Sequence, residues 1–409
     1  MLFFHDESNG QSITFEQFYL DLKSKKSISR YIYYRDTYKI ILELASALFY
    51  GKDVVILDGD FSKNELFNLG VSDNDLLISY DILERLDTVD NNIFTSMVMA
   101  NVNKVKIGIF TSGTTGKPKC FHHVLKSLMR NTKVNEKHVH DIWALAYNVT
   151  HFAGIQVLLQ ALLNQNTIID LFGPNAVHAD YLLEKYECTC ISATPTYFRN
   201  YLFSTNKVNR KIKSVTFGGE KFSDQLLSES KGKFPLARVR NIYASTEVGS
   251  ILSGNGETFT IPMNLKDKIK VSNDKHLVIH SSLLNGKHID GDWYDTKDVV
   301  EINEDGTFKF LSRNTDFINV GGYKVNLLEV EEEILKIDGV IDVAVYGRDN
   351  SVIGKILVAD IVLSDGYDHK EVKKDIISYL KNNLQPFKIP RLLNIVKELR
   401  KNRTGKKVR

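Results

Sequence analysis

Two spacings of apolar residues alternate along this chain from its start. Ser12-Ile-Thr-Phe-Glu-Gln-Phe-Tyr-Leu20 passes from a period of about two to one of about 3.6, which predicts a short strand turning into an amphipathic helix. Tyr31-Ile-Tyr-Tyr34 predicts a strand. Residues 36–49 predict a helix with Ile40, Leu42, Leu44 and Leu48 on its apolar faces, stopped by Gly51. A buried strand follows over 53–58, and strands alternating with helices in this way predict a doubly wound α/β layer. The pattern continues with strands at 143–147, 167–171, 188–192, 213–217 and 239–243, and helices at 121–131 and 155–163. Residues 255–283 turn to β-formers and turns, and a hairpin is predicted over 299–302 and 308–311 about Asn303-Glu-Asp-Gly306. Past the polar Ser312-Arg313-Asn314-Thr315-Asp316, a helix from Leu327, strands at 340–346 and 356–362 and a helix over 370–384 predict a compact α+β unit. We therefore expect an α/β N-terminal domain over 1–312 with a small β-rich part, and a small α+β C-terminal domain over 313–409.

The chemistry concentrates after the apolar run from Val105 to Phe110. Thr111-Ser112-Gly113-Thr114-Thr115-Gly116-Lys117-Pro118-Lys119 brings hydroxyls, glycines and two ammonium groups into one loop. Glycine lets a backbone approach a ligand closely, and oriented amides form an anion-binding concavity, so the inventory suits a polyphosphate. The Walker A loop is excluded: Gly113 and Gly116 are too close together, and Pro118 follows Lys117. The helix expected over 121–131 would turn its positive end to the phosphates.

At this length and order the loop resembles the phosphate-binding signature of the adenylate-forming acyl-activating superfamily, which holds acyl- and aryl-CoA synthetases, peptide-synthetase adenylation domains and luciferases. Its companions follow in order. Asn148-Val-Thr-His151-Phe-Ala-Gly154 resembles the second signature, which implies His151 on the floor of the acyl pocket. A Pro-Thr turn at 195–196 recurs in the acyl- and aryl-CoA branch. Gly218-Gly219-Glu220 ends a strand where two glycines admit a flat ring. Tyr243-Ala-Ser-Thr246-Glu247 resembles the superfamily's Tyr-Gly-x-Thr-Glu. The resemblance implies Tyr243 stacked on adenine, Thr246 at the α-phosphate and Glu247 on Mg²⁺. Tyr294-Asp-Thr-Lys-Asp298 resembles Tyr-x-Thr-Gly-Asp, which implies Asp298 on the ribose hydroxyls. The resemblance implies an N-terminal domain of stacked αβα layers with a small β-subdomain, and a small mobile α+β C-terminal lid domain joined by a hinge at which Arg313 contacts nucleotide. Arg403-Thr-Gly-Lys406 resembles the terminal motif carrying a catalytic lysine. Ala244 and Lys297 replace the usual glycines, Thr315 replaces the usual acidic or basic pivot, and the segment before the phosphate loop is short.

What this implies is ATP- and Mg²⁺-dependent activation of a carboxylic acid as acyl-adenylate, then transfer to coenzyme A or the phosphopantetheine arm of an acyl carrier protein. Peptide-synthetase domains use an Asp in the second signature to hold an α-amino group. None lies within 146–160, so an aryl or medium-sized acyl acid is expected over an amino acid. The departures leave a nucleotide-binding pseudoenzyme as the alternative.

Composition narrows the setting. A chain of 409 residues with 43% apolar content can bury a large core, and a net charge of +3 gives no global case for nucleic acid. The basic stretch 397–409 read alone would be a frayed end brushing nucleic acid or anionic lipid; the resemblance assigns it to Lys406 instead. Cys120, Cys188 and Cys190 form no paired framework, and Cys188-Thr-Cys190 reads as buried small side chains, not a zinc site. With no signal peptide and no apolar run long enough to cross a bilayer, a cytoplasmic protein without a membrane span is expected. The metal assignment generates a direct test. Calorimetric titration should show Mg²⁺-dependent ATP binding in wild type and its loss in Glu247→Ala; unchanged, metal-independent affinity in the variant would remove Glu247 from the metal site.

Overall fold

In the computed structural model, which describes residues 1–82, 87–111, 119–220, 222–245, 247–284, 291–313, 317–320, 323–350, 354–384, 386–401 and 407–408, two sheets lie on either side of a shared helical layer. The smaller runs in the order Tyr31–Tyr34, Val54–Asp58, Lys106–Thr111, Lys119–Val124. Its first three strands are parallel and the last is antiparallel to the third. The eight-stranded sheet runs Gly249–Gly254, Arg238–Ser245, Ser214–Gly218, Cys190–Ala193, Ile142–Leu145, Thr167–Asp170, Leu2–Asp6, Gln11–Thr14. Its inner strands are parallel, and an antiparallel strand closes each edge.

The residue pattern explains the layering. Helix Thr37–Tyr50 begins at Asp36, whose carboxylate caps the amide of Lys39 at 2.9 Å, and stops at Gly51 in the left-handed conformation (φ +68°). It is apolar on most of its circumference because it is covered from both sides. With helix Phe152–Leu163 it fills one continuous core reaching from Ile107 and Ile109 of the smaller sheet to Leu145 and Ile168 of the larger. The other face of the larger sheet packs Ala144, Ile169, Ile191 and Phe217 against helices Ala179–Lys185, Pro195–Ser204 and Asp224–Lys233. Neighbours Ala144 and Leu145, or Ile168 and Ile169, enter opposite cores, as the strand period of two requires.

One expected element is corrected. Residues 121–131 do not form a helix: Lys119–Val124 pairs antiparallel with Lys106–Thr111, and only Leu125–Leu128 is helical. Phe121 and His123 are buried while His122 between them is exposed. The segment thus carries a period of two that a run of mixed aromatic and imidazole side chains disguises. The helical turn starts beyond the strand, so no helix dipole faces the loop from this segment.

The small β-subdomain is a five-stranded antiparallel sheet in the order Thr258–Phe259, Phe308–Arg313, Trp293–Ile302, His276–His280, Ile269–Val271. Beyond it, strands Val340–Asn350, Gly354–Leu363 and Leu392–Ile395 pack against helices Leu327–Ile334 and His369–Asn383 around a separate core that includes Val330, Val343, Ile361 and Ile376. Among the described residues no helix is long and apolar enough to cross a membrane.

Two buried groups give this fold opposing pH dependences. Burial, reinforced by His122 and Arg130, pulls the imidazole of His123 down to about 4. The unfolded chain binds a proton there from about pH 6.5, so that contribution to stability is lost as pH falls from about 6.5 towards 4. Burial pushes Asp170 up to about 7, Asp6 adding to the rise while the Phe172 amide and Thr37 hydroxyl oppose it. Its neutral form is kept in the fold, so its contribution is lost as pH rises from about 3.9 to about 7. Thermal unfolding should separate the two. His123→Phe should gain on wild type as pH is lowered through the first window, and Asp170→Asn should gain as pH is raised through the second. A Tm difference independent of pH in either variant would mean that its group titrates normally.

Candidate active site

The segment expected to bind phosphate joins two antiparallel strands, Lys106–Thr111 and Lys119–Val124. Thr111 and Lys119 face each other across its mouth, while Ser112, Gly113, Thr114, Thr115, Gly116 and Lys117 lie outside the described residues. Strand Val54–Asp58 runs parallel beside the hairpin, with Val54 opposite Ile107 and Ile56 opposite Ile109. That register carries Asp58 level with Thr111. Asp58 is 6% exposed and gathers the start of helix Phe152–Leu163: the Thr150 hydroxyl donates to Asp58 Oδ1, and His151 Nε2 lies 3.2 Å from the same oxygen without hydrogen-bond alignment. Thr150 also donates to Asn148 Oδ1 at 2.9 Å. His151 thus sits at the seam between the two sheets, next to the hairpin. Asp58 was missed from sequence; the signal available was a carboxylate closing an otherwise apolar strand.

The carboxyl edge of the larger sheet supplies the second wall. Tyr147, buried at 7% exposure, donates to Ala193 O at 2.7 Å and to Gly218 O at 3.2 Å, tying three strand ends together. Burial pushes this phenol well above its ordinary value, so it stays protonated. Thr194 caps helix Pro195–Ser204 through the amide of Tyr197 at 3.1 Å, with Pro195 in the first turn where its missing N–H costs nothing. Gly219 turns the chain at φ +88°, a value that favours glycine, and Glu220 beyond it accepts the amide of Thr196 at 2.8 Å.

Tyr243 and Asp298, far apart in sequence, meet directly. The Tyr243 hydroxyl donates to Asp298 Oδ2 at 2.6 Å, and its ring stacks on Phe310 with centroids 4.3 Å apart at 14°. Asp298 is 4% exposed and pairs across the small sheet with Arg313, whose side chain lies outside the described set. Lys297, where glycine is usual, takes φ +62°, held by its amide and ammonium on Asp295 at 2.8 and 2.7 Å. The bulged strand therefore keeps the left-handed backbone despite the side chain.

Thr246 lies outside the described residues. Glu247 is half-buried in the turn between strands Arg238–Ser245 and Gly249–Gly254. That turn is gripped from the phosphate-loop side: Arg130 donates to Val248 O at 3.3 Å, and Asn131 donates to Ser250 O and Oγ at 2.9 Å each. Burial lowers the Arg130 guanidinium from its ordinary value. The segment that leaves the loop hairpin so fixes the carboxylate turn beside it. Arg130 and Asn131 had no motif to reveal them. Mg²⁺ takes one or two carboxylates and completes its shell with phosphate and water, so a single carboxylate at this turn fits it.

The tail comes to the same edge. Arg403 and Lys406 fall outside the described residues, but Lys401 pairs with Lys407 in a single antiparallel β-bridge, and the Val408 amide donates to Arg400 O at 2.9 Å. The Lys407 amide donates to Glu220 Oε1 at 3.3 Å.

Two family models, and proteins of known sequence and structure, match this chain. The family described as AMP-binding enzyme matches residues 34–273, and the one described as AMP-binding enzyme C-terminal domain matches 329–406. A 2-succinylbenzoate–CoA ligase of Listeria innocua is 24% identical over 361 residues, covering 80% of this chain and 73% of that protein. 4-Hydroxybutyrate–CoA ligase 1 of Metallosphaera sedula is 27% identical over 346 residues; the match covers 74% of this chain but only 60% of that protein's length. The o-succinylbenzoate CoA synthetase of Bacillus subtilis, solved with its acyl-adenylate intermediate, superposes with a TM-score of 0.70 at 18% identity, over 99% of this chain and 94% of that one. The same synthetase with ATP and magnesium gives 0.69 at 19% identity, over 99% and 95%. These structural likenesses speak for the fold, and the family matches go further: with more than half its length matched, this chain belongs to the AMP-binding enzymes.

Proposed function

We infer that the chain activates a carboxylic acid with ATP, releasing pyrophosphate and forming an acyl-adenylate, and then passes the acyl group to coenzyme A. The observation that carries this reading is the meeting of Tyr243 with Asp298 at 2.6 Å, on the strand that leads into the Glu247 turn, which Arg130 and Asn131 tie to the segment leaving the hairpin. An aromatic face and a buried carboxylate suit adenosine: the ring offers a stacking surface, and the carboxylate accepts two ribose hydroxyls at once. Gly218, Gly219 and Glu220 would lie along the base. Thr111, Ser112, Gly113, Thr114, Thr115 and Gly116 would cradle the phosphates, with Lys117 and Lys119 supplying positive charge. Arg313, across from Asp298, would reach the nucleotide.

Two anions must meet for the carboxylate to attack the α-phosphate, so the work is charge neutralisation more than covalent chemistry. Glu247 would hold Mg²⁺, which when bound offsets phosphate charge. Thr246 would reach the α-phosphate, and Lys406 would bring an ammonium to the reacting oxygens. We assign residues 313–409 as a domain that closes over residues 1–312, which keeps water from the reactive acyl-adenylate. The separate core of the C-terminal module supports that division. Lys297 keeps the glycine-like backbone, so this departure gives no reason to prefer a catalytically silent nucleotide binder.

His151 at the sheet seam and the absence of Asp from 146–160 favour an aryl or medium-sized acyl acid over an α-amino acid. The relatives named for 2-succinylbenzoate and 4-hydroxybutyrate point the same way. Coenzyme A is the acceptor, with a carrier protein's phosphopantetheine arm as the second one to test. A reduced, cytoplasmic setting goes with this reading. It is supported by free thiols at Cys120, Cys188 and Cys190, where burial pushes the last two up to about 12.

Pyrophosphate release should depend on an aryl or alkanoic acid; turnover of a proteinogenic amino acid alone would overturn the substrate class. Lys406→Ala, and truncation before Arg403, should slow acyl-adenylate formation by roughly 10²–10³, the usual cost of one charge-stabilising donor, while chemically made acyl-adenylate is still converted to thioester. Adenylation near the wild-type rate would move the catalytic charge to Lys117 or Lys119.

A further inference from the structure

The C-terminal module touches the large domain through a buried cluster of charges that the catalytic assignment leaves unused. Helix Pro195–Ser204 packs on strand Val340–Asn350, and between them lie Arg199 from the helix and Asp342 from the strand. Asp342 is 1% exposed; its Oδ1 lies 2.8 Å from Lys407 Nζ and 3.7 Å from Arg199 Nε. Lys407 also donates to Val343 O at 2.6 Å and stands 3.7 Å from Glu331, a carboxylate only 3% exposed. On the large-domain side, Arg199 Nη2 donates to Thr196 Oγ1 at 3.1 Å and lies 3.9 Å from Glu220 Oε2. Glu220 in turn accepts the Lys407 amide at 3.3 Å.

These contacts divide into two sets. Lys407, Asp342, Glu331 and Val343 all belong to the C-terminal module, so they hold the tail to its own domain. Arg199 with Asp342, and Glu220 with the Lys407 amide, cross between domains. The crossing ion pair is made by charge more than by directed bonds, since Arg199 Nε and Asp342 Oδ2 have no hydrogen-bond partner among the described residues. A buried carboxylate facing two cations is stabilised by both, and withdrawing one leaves it under-compensated. Lys406 is the residue before Lys407, and consecutive Cα atoms are about 3.8 Å apart. Whatever fixes Lys407 against Glu220 therefore fixes where Lys406 can reach.

We propose that Arg199 is a positioning residue for the adenylation step: its pair with Asp342 docks the C-terminal domain so that the tail meets Glu220 and Lys406 is delivered to the reacting phosphate. This rests on the reading of the chain as an acid-adenylating enzyme. Removing Arg199 leaves Lys407 on Asp342, so the C-terminal module keeps its internal pair and loses the ion pair that crosses to the large domain, with only the Glu220 contact left to hold the tail there. The thiol step, which needs no delivery of Lys406, is spared.

The test compares Arg199→Gln and Arg199→Lys with wild type in two assays: acid-dependent pyrophosphate release, and thioester formation from chemically made acyl-adenylate and coenzyme A. Arg199→Gln should lower kcat for pyrophosphate release by about tenfold or more and change the thioester rate by less than about twofold, with Arg199→Lys recovering most of the loss. Equal loss in both assays, or no recovery in Arg199→Lys, would reduce Arg199 to local packing and overturn the proposal. Undiminished pyrophosphate release in Arg199→Gln would overturn it as well. Absence of acid-dependent pyrophosphate release in wild type would instead overturn the enzyme reading, and this proposal with it.

Discussion

The antiparallel pairing of Thr111 with Lys119 is the constraint on which the rest of the site depends. A loop that is to surround a polyphosphate must bring amides, hydroxyls and ammonium groups to one small volume, and conformational entropy opposes that gathering. The hairpin ladder beneath it covers this cost, because each strand residue already fixed by the sheet need not be fixed again on binding. The same ladder sets Asp58 beside the loop, and Asp58 in turn holds Thr150 and His151. Past the hairpin, Arg130 and Asn131 reach the turn that carries Glu247. One register thus places the strands that flank the proposed phosphate loop and the start of helix Phe152–Leu163, and the segment leaving the hairpin reaches the proposed metal carboxylate.

Polar groups at this edge are buried in pairs, and that is how the fold tolerates them. Tyr147 is covered on all sides, yet its hydroxyl is satisfied by two strand-end carbonyls. Asp298 is equally enclosed and is met by Tyr243. An unpaired group in either place would carry a desolvation penalty of about 1–3 kcal/mol or more. The pairs make the strand ends rigid, so a nucleotide would meet a surface already shaped for it. Arg199 and Asp342 differ in kind: their contact lacks hydrogen-bond alignment and lies between domains, where an arrangement that is to be broken and remade would be placed.

Most elements were legible in the residue pattern because local periodicity and burial agree. The strand at Tyr31–Tyr34 and the helix at Leu327–Ile334 have the expected limits, and helix Thr37–Tyr50 has the expected stop at Gly51. Residues 121–131 were misread because His122 and His123 differ in burial but not in residue type, so alternation could not be seen; the helices at Asn91–Ala100, Pro195–Ser204 and Asp224–Lys233 were not read at all. Legibility of the site was of another kind. Tyr243, Glu247 and Asp298 could be named because each stands in a short stretch whose residue types suit a stated task. Asp58, Arg130, Asn131 and Arg199 could not, because each acts through a partner distant along the chain.

By itself, then, the sequence determined the succession of strands and helices, the phosphate-suited loop and the residue types able to hold adenosine and a divalent ion. Those properties are written in neighbouring residues, through spacing, turn chemistry and hydrogen-bonding capacity. Tertiary structure alone decided that Tyr243 would meet Asp298, that a strand and not a helix would follow the loop, and that Lys407 and Arg199 would share one carboxylate. Such choices depend on which strands become neighbours and in what register, and a register is set by the packing of whole faces against the core, not by any one segment.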